Sequence, residues 1–421
     1  MICRPTLHAV NGDRSLPDAN RQSNLENIPI NPLIINHLPS LRHTDCRLSE
    51  FQRDTLKAFL FPAGLPESSQ VIDSDAKLTE LLPKLLSAQW LALDTEADSL
   101  HAYPEKVCLI QISTADGDFL VDPLAPINLD ALFEVFNGRE LIFHAADYDL
   151  RLLEKHHQFT PSAIFDTMLA ARLLGERQFG LSALVEHFLG VKLDKGSQKA
   201  DWAQRPLTEK METYARNDTH YLKPLADRLK TALESKGRLA WHQESCARLI
   251  ADCSRAPVLN ADLVWRIKGS SKLGRPALAV LRELWQWRER EAIAYCRPPF
   301  FVLSHERMVD IAGTAAAQQP FEQILPPKIS PRRRETLLAA VKTGLAVPPG
   351  QHPEVLRTVF RRPSEAEFRR FREIEKRRNA HAHELGIDPT LIASKAVMGD
   401  LAHDWDKHAP ELMNWQRELL K

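Results

Sequence analysis

No apolar run in the chain approaches the roughly 18 residues that a bilayer-spanning helix needs. The N-terminus also lacks the apolar core of a secretory signal. Net charge is missing too: 55 basic residues face 55 acidic ones over 421 residues. No whole-protein field therefore draws in a polyanion, and any nucleic-acid binding must use local patches. Cysteine is scarce. Cys3, Cys46, Cys108, Cys246, Cys253 and Cys296 form no C-x-x-C pair, which fits reduced, buried thiols of a cytoplasmic protein better than disulfides or a zinc site. What is present in quantity is length, enough for two or three domains.

Residues 1–68 are rich in Asn, Pro and Ser, with one short helix expected over Leu48–Leu60. They read as an N-terminal extension, partly disordered; a start codon assigned too early explains them equally well. From Ser74 the pattern changes. Ala76–Leu86 carries leucines at helical spacing, and Trp90–Leu93 reads as a strand buried on both faces. Val107–Ser113 and Asp118–Val121 are two further strands joined through a turn at Asp116-Gly117. A helix over Leu129–Phe136, a strand over Glu140–His144, a helix over Tyr148–Lys155 and a short strand at Ala163–Phe165 follow. Asp166 caps a helix to Leu174, and Gly190 ends another that starts at Leu181. Beyond Leu207 the chain is almost wholly helical. A mixed α/β sheet followed by an all-α region is the expected architecture.

The strand from Trp90 runs into Asp94 and Glu96, which project on one side about 7 Å apart by strand rise. Two carboxylates there repel each other and lose hydration, and a cation between them removes both penalties. Taken alone, such a pair is more often two solvated loop acids. In His144–Leu150, Asp147 fits an N-cap, whereas Asp149 is either an ordinary first-turn acid or something more. Thr208–Leu229 places Met211, Tyr214, Asp218, Leu222, Leu225 and Leu229 on one helical face. A carboxylate in that stripe would cost several kcal/mol if unpaired. Either a structural partner satisfies Asp218, or it joins Asp94 and Glu96 at a metal.

The segments LALDTEADSL, IFHAADYDL and YARNDTHYL, in that order, resemble the DEDDy class of 3′–5′ exonucleases. YPEKVCLIQIS, FDTMLAARLLG, FGLSALVEHFLGVKLDK and ADWAQRPLT are similar to ribonuclease D in particular, and the likeness covers Val71–Leu229. It implies an RNase H-like fold, with a mixed five-stranded sheet flanked by helices and two divalent ions, Mg²⁺ or Mn²⁺. By the same likeness Asp94 bridges both ions, Glu96 and Asp218 complete one, and Asp149 holds the second, partly through water. Tyr214 orients the attacking water, and nucleoside 5′-monophosphates leave one at a time. No His lies near Tyr214 ahead of Asp218, so the tyrosine subclass is indicated, and His144 stands where the family usually has Asn or His. Asp98 and Asp147 are the rival ligands. All-carboxylate ligands suit hard cations, and no small-molecule cofactor is expected. Phe179 and Trp202 could stack on terminal bases, and Lys195, Lys199 and Arg205 could meet phosphates; ordinary packing and solvated charge explain them at least as well.

PALAVLRELWQWREREA, FVLSHERMVDIA and SPRRRETLLAAVKTGL resemble the HRDC domain, a helical module associated with nucleic-acid binding. The expected layout is an exonuclease domain at 69–235, a helical connector at 236–270, an HRDC-like domain at 271–347, and a second helical domain at 352–421 after the linker Pro348-Pro349-Gly350. That last domain reads as a diverged HRDC copy. Its first helix carries Arg361, Arg362, Arg369, Arg370, Arg372, Lys376, Arg377 and Arg378 among interleaved glutamates, giving local phosphate affinity that should fall with salt. His381 and His383 do not share a helical face and are not expected ligands. The function implied is 3′–5′ exoribonuclease action on RNA 3′ ends, with tRNA precursors as substrates. The alternatives are a DNA exonuclease on the same core, or a non-catalytic nucleic-acid-binding protein.

Overall fold

The computed structural model describes residues 71–194, 196–255, 260–356 and 362–421. The expected extension, its helix at Leu48–Leu60, Lys195 and Arg361 lie outside those residues. The chain from residue 71 runs α1 (Asp75–Ser87), β1 (Leu91–Ala97), β2 (Val107–Thr114), β3 (Gly117–Val121), α2 (Asp130–Phe136), β4 (Glu140–Phe143), α3 (Asp147–His157) and β5 (Ala163–Asp166). Helices α4 (Thr167–Leu174), α5 (Leu181–Leu189), α6 (Glu209–His220), α7 (Leu222–Ser235) and α8 (Leu239–Ser254) follow. The sheet order is β3-β2-β1-β4-β5. The first three strands form an antiparallel meander, whose hairpin turns through Ala115-Asp116 into Gly117 at φ +141°. β4 and β5 join parallel to β1, each reached through a helix, as a βαβ crossover requires.

β1 is central because both its faces are covered. Leu91 and Leu93 pack with Leu81, Leu85, Phe136 and Phe143 on one side, while Ala92 meets α4, α5 and α7 on the other. Acids at positions 94 and 96 therefore emerge on the Ala92 side. The expected helix Thr208–Leu229 is two helices, α6 and α7, meeting at Tyr221. Pro224 explains the break: it has no N–H for the His220 carbonyl, and its ring crowds that oxygen.

Two helical groups complete the chain. In the first, α9 (Arg275–Ala294), α10 (Pro299–Val302), α11 (His305–Ala316) and α12 (Pro331–Leu345) enclose their own core around Leu278, Leu281, Trp287, Met308 and Leu337. α12 approaches α9 so closely that a Cβ at Gly344 would stand 2.5 Å from the Val280 Cα. This group touches the sheet domain where the Tyr103 hydroxyl donates to Glu289 at 2.5 Å.

The second group comprises α13 (Glu365–Leu385), α14 (Pro389–Ile392), α15 (Lys395–His403), α16 (Trp405–His408) and α17 (Asn414–Leu420). It shares a core with α4, α5 and α7 and stacks Trp415 on Trp241 at 5.1 Å. Arg238 ties the parts together by donating to the carbonyls of Leu173 and Leu385. The two groups repeat a local pattern. Pro299, Val302, Ser304, Met308, Ile311 and Ala312 recur at the same internal spacing as Pro389, Ile392, Ser394, Met398, Leu401 and Ala402. Both serines cap the next helix, and the residue before each has the same extended backbone (φ −157° and −158°). Several α13 arginines are structural: Arg370 donates to the carbonyls of Ala402 and His403, Arg377 to those of Leu420 and Lys421, and Arg378 to that of Ala393. Among the described residues no helix is long and apolar enough to cross a membrane.

Candidate active site

The sheet brings its acids together at one end of β1. Asp94 and Glu96 share a face, paired across to Gln111 and Leu109 of β2. α6 crosses that same face, anchored where Ser113 donates to Thr219 at 2.7 Å. Asp218 immediately precedes Thr219 on α6, and Tyr214 stands one turn further back. Carboxylate oxygens of Asp94, Glu96 and Asp218 all lie within 4.8 Å of one another. Asp149 arrives from the first turn of α3 and is held by Thr95, whose N–H and hydroxyl donate to Oδ1 at 3.0 and 2.5 Å. The loop that aims α3 is fixed by Asp166, which accepts from the Ala145 and Ala146 N–H groups while also capping α4. His144, half-buried, is hydrogen-bonded to Thr167 at 2.9 Å.

Crowding four carboxyls in a half-buried corner opposes their ionisation. Burial first, then the charges of Asp149, Asp218 and Glu96, push Asp94 well above the usual carboxylate range. Glu96 rises to about 9 through burial and the charges of Asp218 and Asp149. Asp218 rises to about 7 through burial, although the Tyr214 hydroxyl opposes this. Asp149 reaches about 6, with burial outweighing its bonds from Thr95. Tyr214 is pushed up by burial and by Asp218, Glu96 and Asp94.

Among the described residues, no lysine or arginine is ion-paired to these four. Other acids nearby do have cationic partners. Asp98 is paired with Lys106, Asp147 with Arg151 at 3.0 Å, and Asp122 with Arg205. Asp98 and Asp147 are thereby accounted for as structural acids. The four without such partners form an all-oxygen set that fits a hard divalent cation.

Two expected substrate contacts are corrected. Trp202 is only 1% exposed and packs among Cys108, Leu109, Leu120 and Met211, so it has no face for a base. Its ring stands 6.0 Å from that of Tyr214 and props it. Arg205 grips both oxygens of Asp122 and the carbonyls of Cys108, Trp202 and Gln204, which leaves its guanidinium committed within the fold. Phe179 is 40% exposed, with Arg172 over its ring, and Lys199 is exposed. Sequence reasoning missed Thr95 as the holder of Asp149, and it treated Asp166 as a helix cap alone. The adjacency of Thr95 to both Asp94 and Glu96 was the available signal.

Residues 69–234 match the 3′–5′ exonuclease family, and residues 277–318 match the HRDC domain. The ribonuclease D of Gluconacetobacter diazotrophicus is 30% identical over 366 residues, covering 85% of this chain and 92% of that one. The crystal structure of Escherichia coli RNase D, described as an exoribonuclease involved in structured RNA processing, superposes with a TM-score of 0.66 at 25% identity. That match covers 84% of this chain and 96% of the other. A protein from Bifidobacterium adolescentis shares the fold with a TM-score of 0.73 at 23% identity, over 85% of this chain and 95% of its own.

Proposed function

Because the chain belongs to the ribonuclease D family, a family of 3′–5′ exoribonucleases, we propose that Asp94, Glu96, Asp149 and Asp218 hold two divalent cations, Mg²⁺ or Mn²⁺, for hydrolysis of RNA from its 3′ end. The observation that carries the metal site is the convergence of the Asp94, Glu96 and Asp218 oxygens within 4.8 Å, with no basic side chain ion-paired to them among the described residues. Asp149, engaged by Thr95 and outside that trio, takes the second ion. Bound cations would supply positive charge to the attacking water and to the leaving oxygen of an in-line displacement. Tyr214, one helical turn from Asp218 and kept protonated by burial and the surrounding carboxylates, orients the water and does not act as its base. Nucleoside 5′-monophosphates are the products.

Structured RNA precursors such as tRNA, in the cytoplasm, are the proposed substrates, in keeping with the family. Residues 271–347 and 352–421 form two HRDC-like modules that add RNA contacts. Exposed Phe179 is the remaining candidate for stacking on a terminal base. The test is degradation of RNA labelled at either end, with Mg²⁺ or Mn²⁺ or with EDTA, beside Asp94→Asn. A 3′ label should leave first as a mononucleotide only when metal is present, and Asp94→Asn should be inactive. Internal fragments, or activity in EDTA, would defeat the reading. Matched DNA tails decide between RNA and DNA.

A further inference from the structure

Gln111 sits in the middle of β2, directly across the antiparallel register from Asp94. Residues facing each other in such a pair point to the same side of the sheet, with Cβ atoms about 5 Å apart. Gln111 therefore projects onto the face that carries the acids. Leu120 of β3 flanks it on the other side, and Leu109 and Ser113 share its face along β2. Helix α6 forms the roof: Thr219 bonds to Ser113, and Ala215 belongs to the same apolar cluster as Leu109 and Leu120.

The side chain is fully buried, and neither Nε2 nor Oε1 has a hydrogen-bond partner among the described residues. A buried amide with both ends unsatisfied opposes folding. Leu or Met would fill the same space without that cost, so packing alone does not account for an amide here. Asp94, opposite it in the register, is a neighbour able to use a donor. Carboxylates that ligate metals are themselves held by hydrogen bonds, and losing such a partner weakens metal affinity about 10- to 100-fold.

Building on the exonuclease reading, we propose that Gln111 is a positioning residue for the cation site, its amide N–H donating to the Asp94 carboxylate and fixing that side chain when a divalent cation is bound. The amide then restrains the Asp94 carboxylate from one side and the cation from the other. The test uses the full chain and Mn²⁺ alone, titrated by calorimetry, with melting in EDTA as the check on folding. Gln111→Met should melt in EDTA at or above wild type and bind Mn²⁺ about tenfold or more weakly. With RNA, kcat should fall while KM stays unchanged. Wild-type Mn²⁺ affinity in folded Gln111→Met overturns the proposal. If that variant does not fold, Gln111→Asn, which withdraws the amide by one methylene, is held to the same Mn²⁺ criterion. Absence of Mn²⁺ binding by wild type would defeat the exonuclease reading itself, whereas equal binding by wild type and variant removes only the role of Gln111.

Discussion

Replacing Asp218 by Asn removes one charge from the acid cluster while keeping an oxygen for the Tyr214 hydroxyl. Burial holds the Asp218 carboxyl near 7 instead of 3.8, about three pKa units at about 1.4 kcal/mol each, or about 4 kcal/mol against the folded state at pH 8. The site is partly open to solvent and its charges are shared, so about half of that, ~2 kcal/mol, is the expected gain in stability. For a domain of this size ~2 kcal/mol corresponds to a melting temperature about 4–8 °C higher. The assay is calorimetric or fluorimetric melting in EDTA at pH 8, repeated at pH 4, where the gain should vanish because Asp218 is then protonated. Asp227→Asn, which removes an exposed acid ion-paired to Lys223, is the control and should show no gain. Activity of Asp218→Asn should fall at least ~100-fold, as expected for a lost ligand in a metal-dependent hydrolase. An unchanged or lowered melting temperature in EDTA at pH 8 would refute the claim that these carboxyls strain the cation-free fold.

The same shifts set a pH dependence. The raised carboxyls keep protons in the folded state that the unfolded chain has already released, so their stabilising effect is complete at low pH. It is lost as pH rises through about 6, 7 and 9 for Asp149, Asp218 and Glu96. Mn²⁺ should therefore raise the melting temperature more at pH 8.5 than at pH 5.5, and a gain independent of pH would contradict the assignment. Tyr214→Phe should retain Mn²⁺ affinity and lower kcat by about 100-fold; a matching loss of Mn²⁺ binding would make the tyrosine structural. Arg205→Ala should cost about 3 kcal/mol by stranding buried Asp122, with KM for RNA unchanged. A raised KM at unchanged stability would return Arg205 to the substrate. Phe179→Ala should raise KM about tenfold or more if the ring stacks on a base, and an unchanged KM would remove it from the site.

How far the residues announced this arrangement depended on whether the governing interaction was local. The strand at Leu91–Ala97 was readable because an apolar run ending in alternating acids has one economical reading. Pairing of Tyr214 with Asp218 followed from helical spacing. The break at Tyr221 was also local, since Pro224 forbids the bond to His220, yet the continuing leucine stripe masked it. Long-range partners were not readable. Arg205 meets Asp122 across 83 residues of sequence, and Trp202 lies in a loop without periodicity, so nothing in the linear order distinguished a packed ring from a stacking one. Asp98 and Asp147 were separable from the proposed ligands only once Lys106 and Arg151 were seen beside them. Gln111 sits inside an apolar run, VCLIQIS, where the strand pattern drew attention away from its one amide.

Everything rests on carboxylates from β1, α3 and α6 forming a cation site. The most direct measurement is Mn²⁺ binding to the full chain at pH 8, by calorimetry with electron paramagnetic resonance, for wild type and Asp94→Asn. The account predicts two Mn²⁺ per wild-type chain, with RNA 3′-end hydrolysis rising as they bind, and loss of both binding and hydrolysis in Asp94→Asn. Full hydrolysis without bound metal, or Mn²⁺ binding by Asp94→Asn equal to wild type, would contradict it.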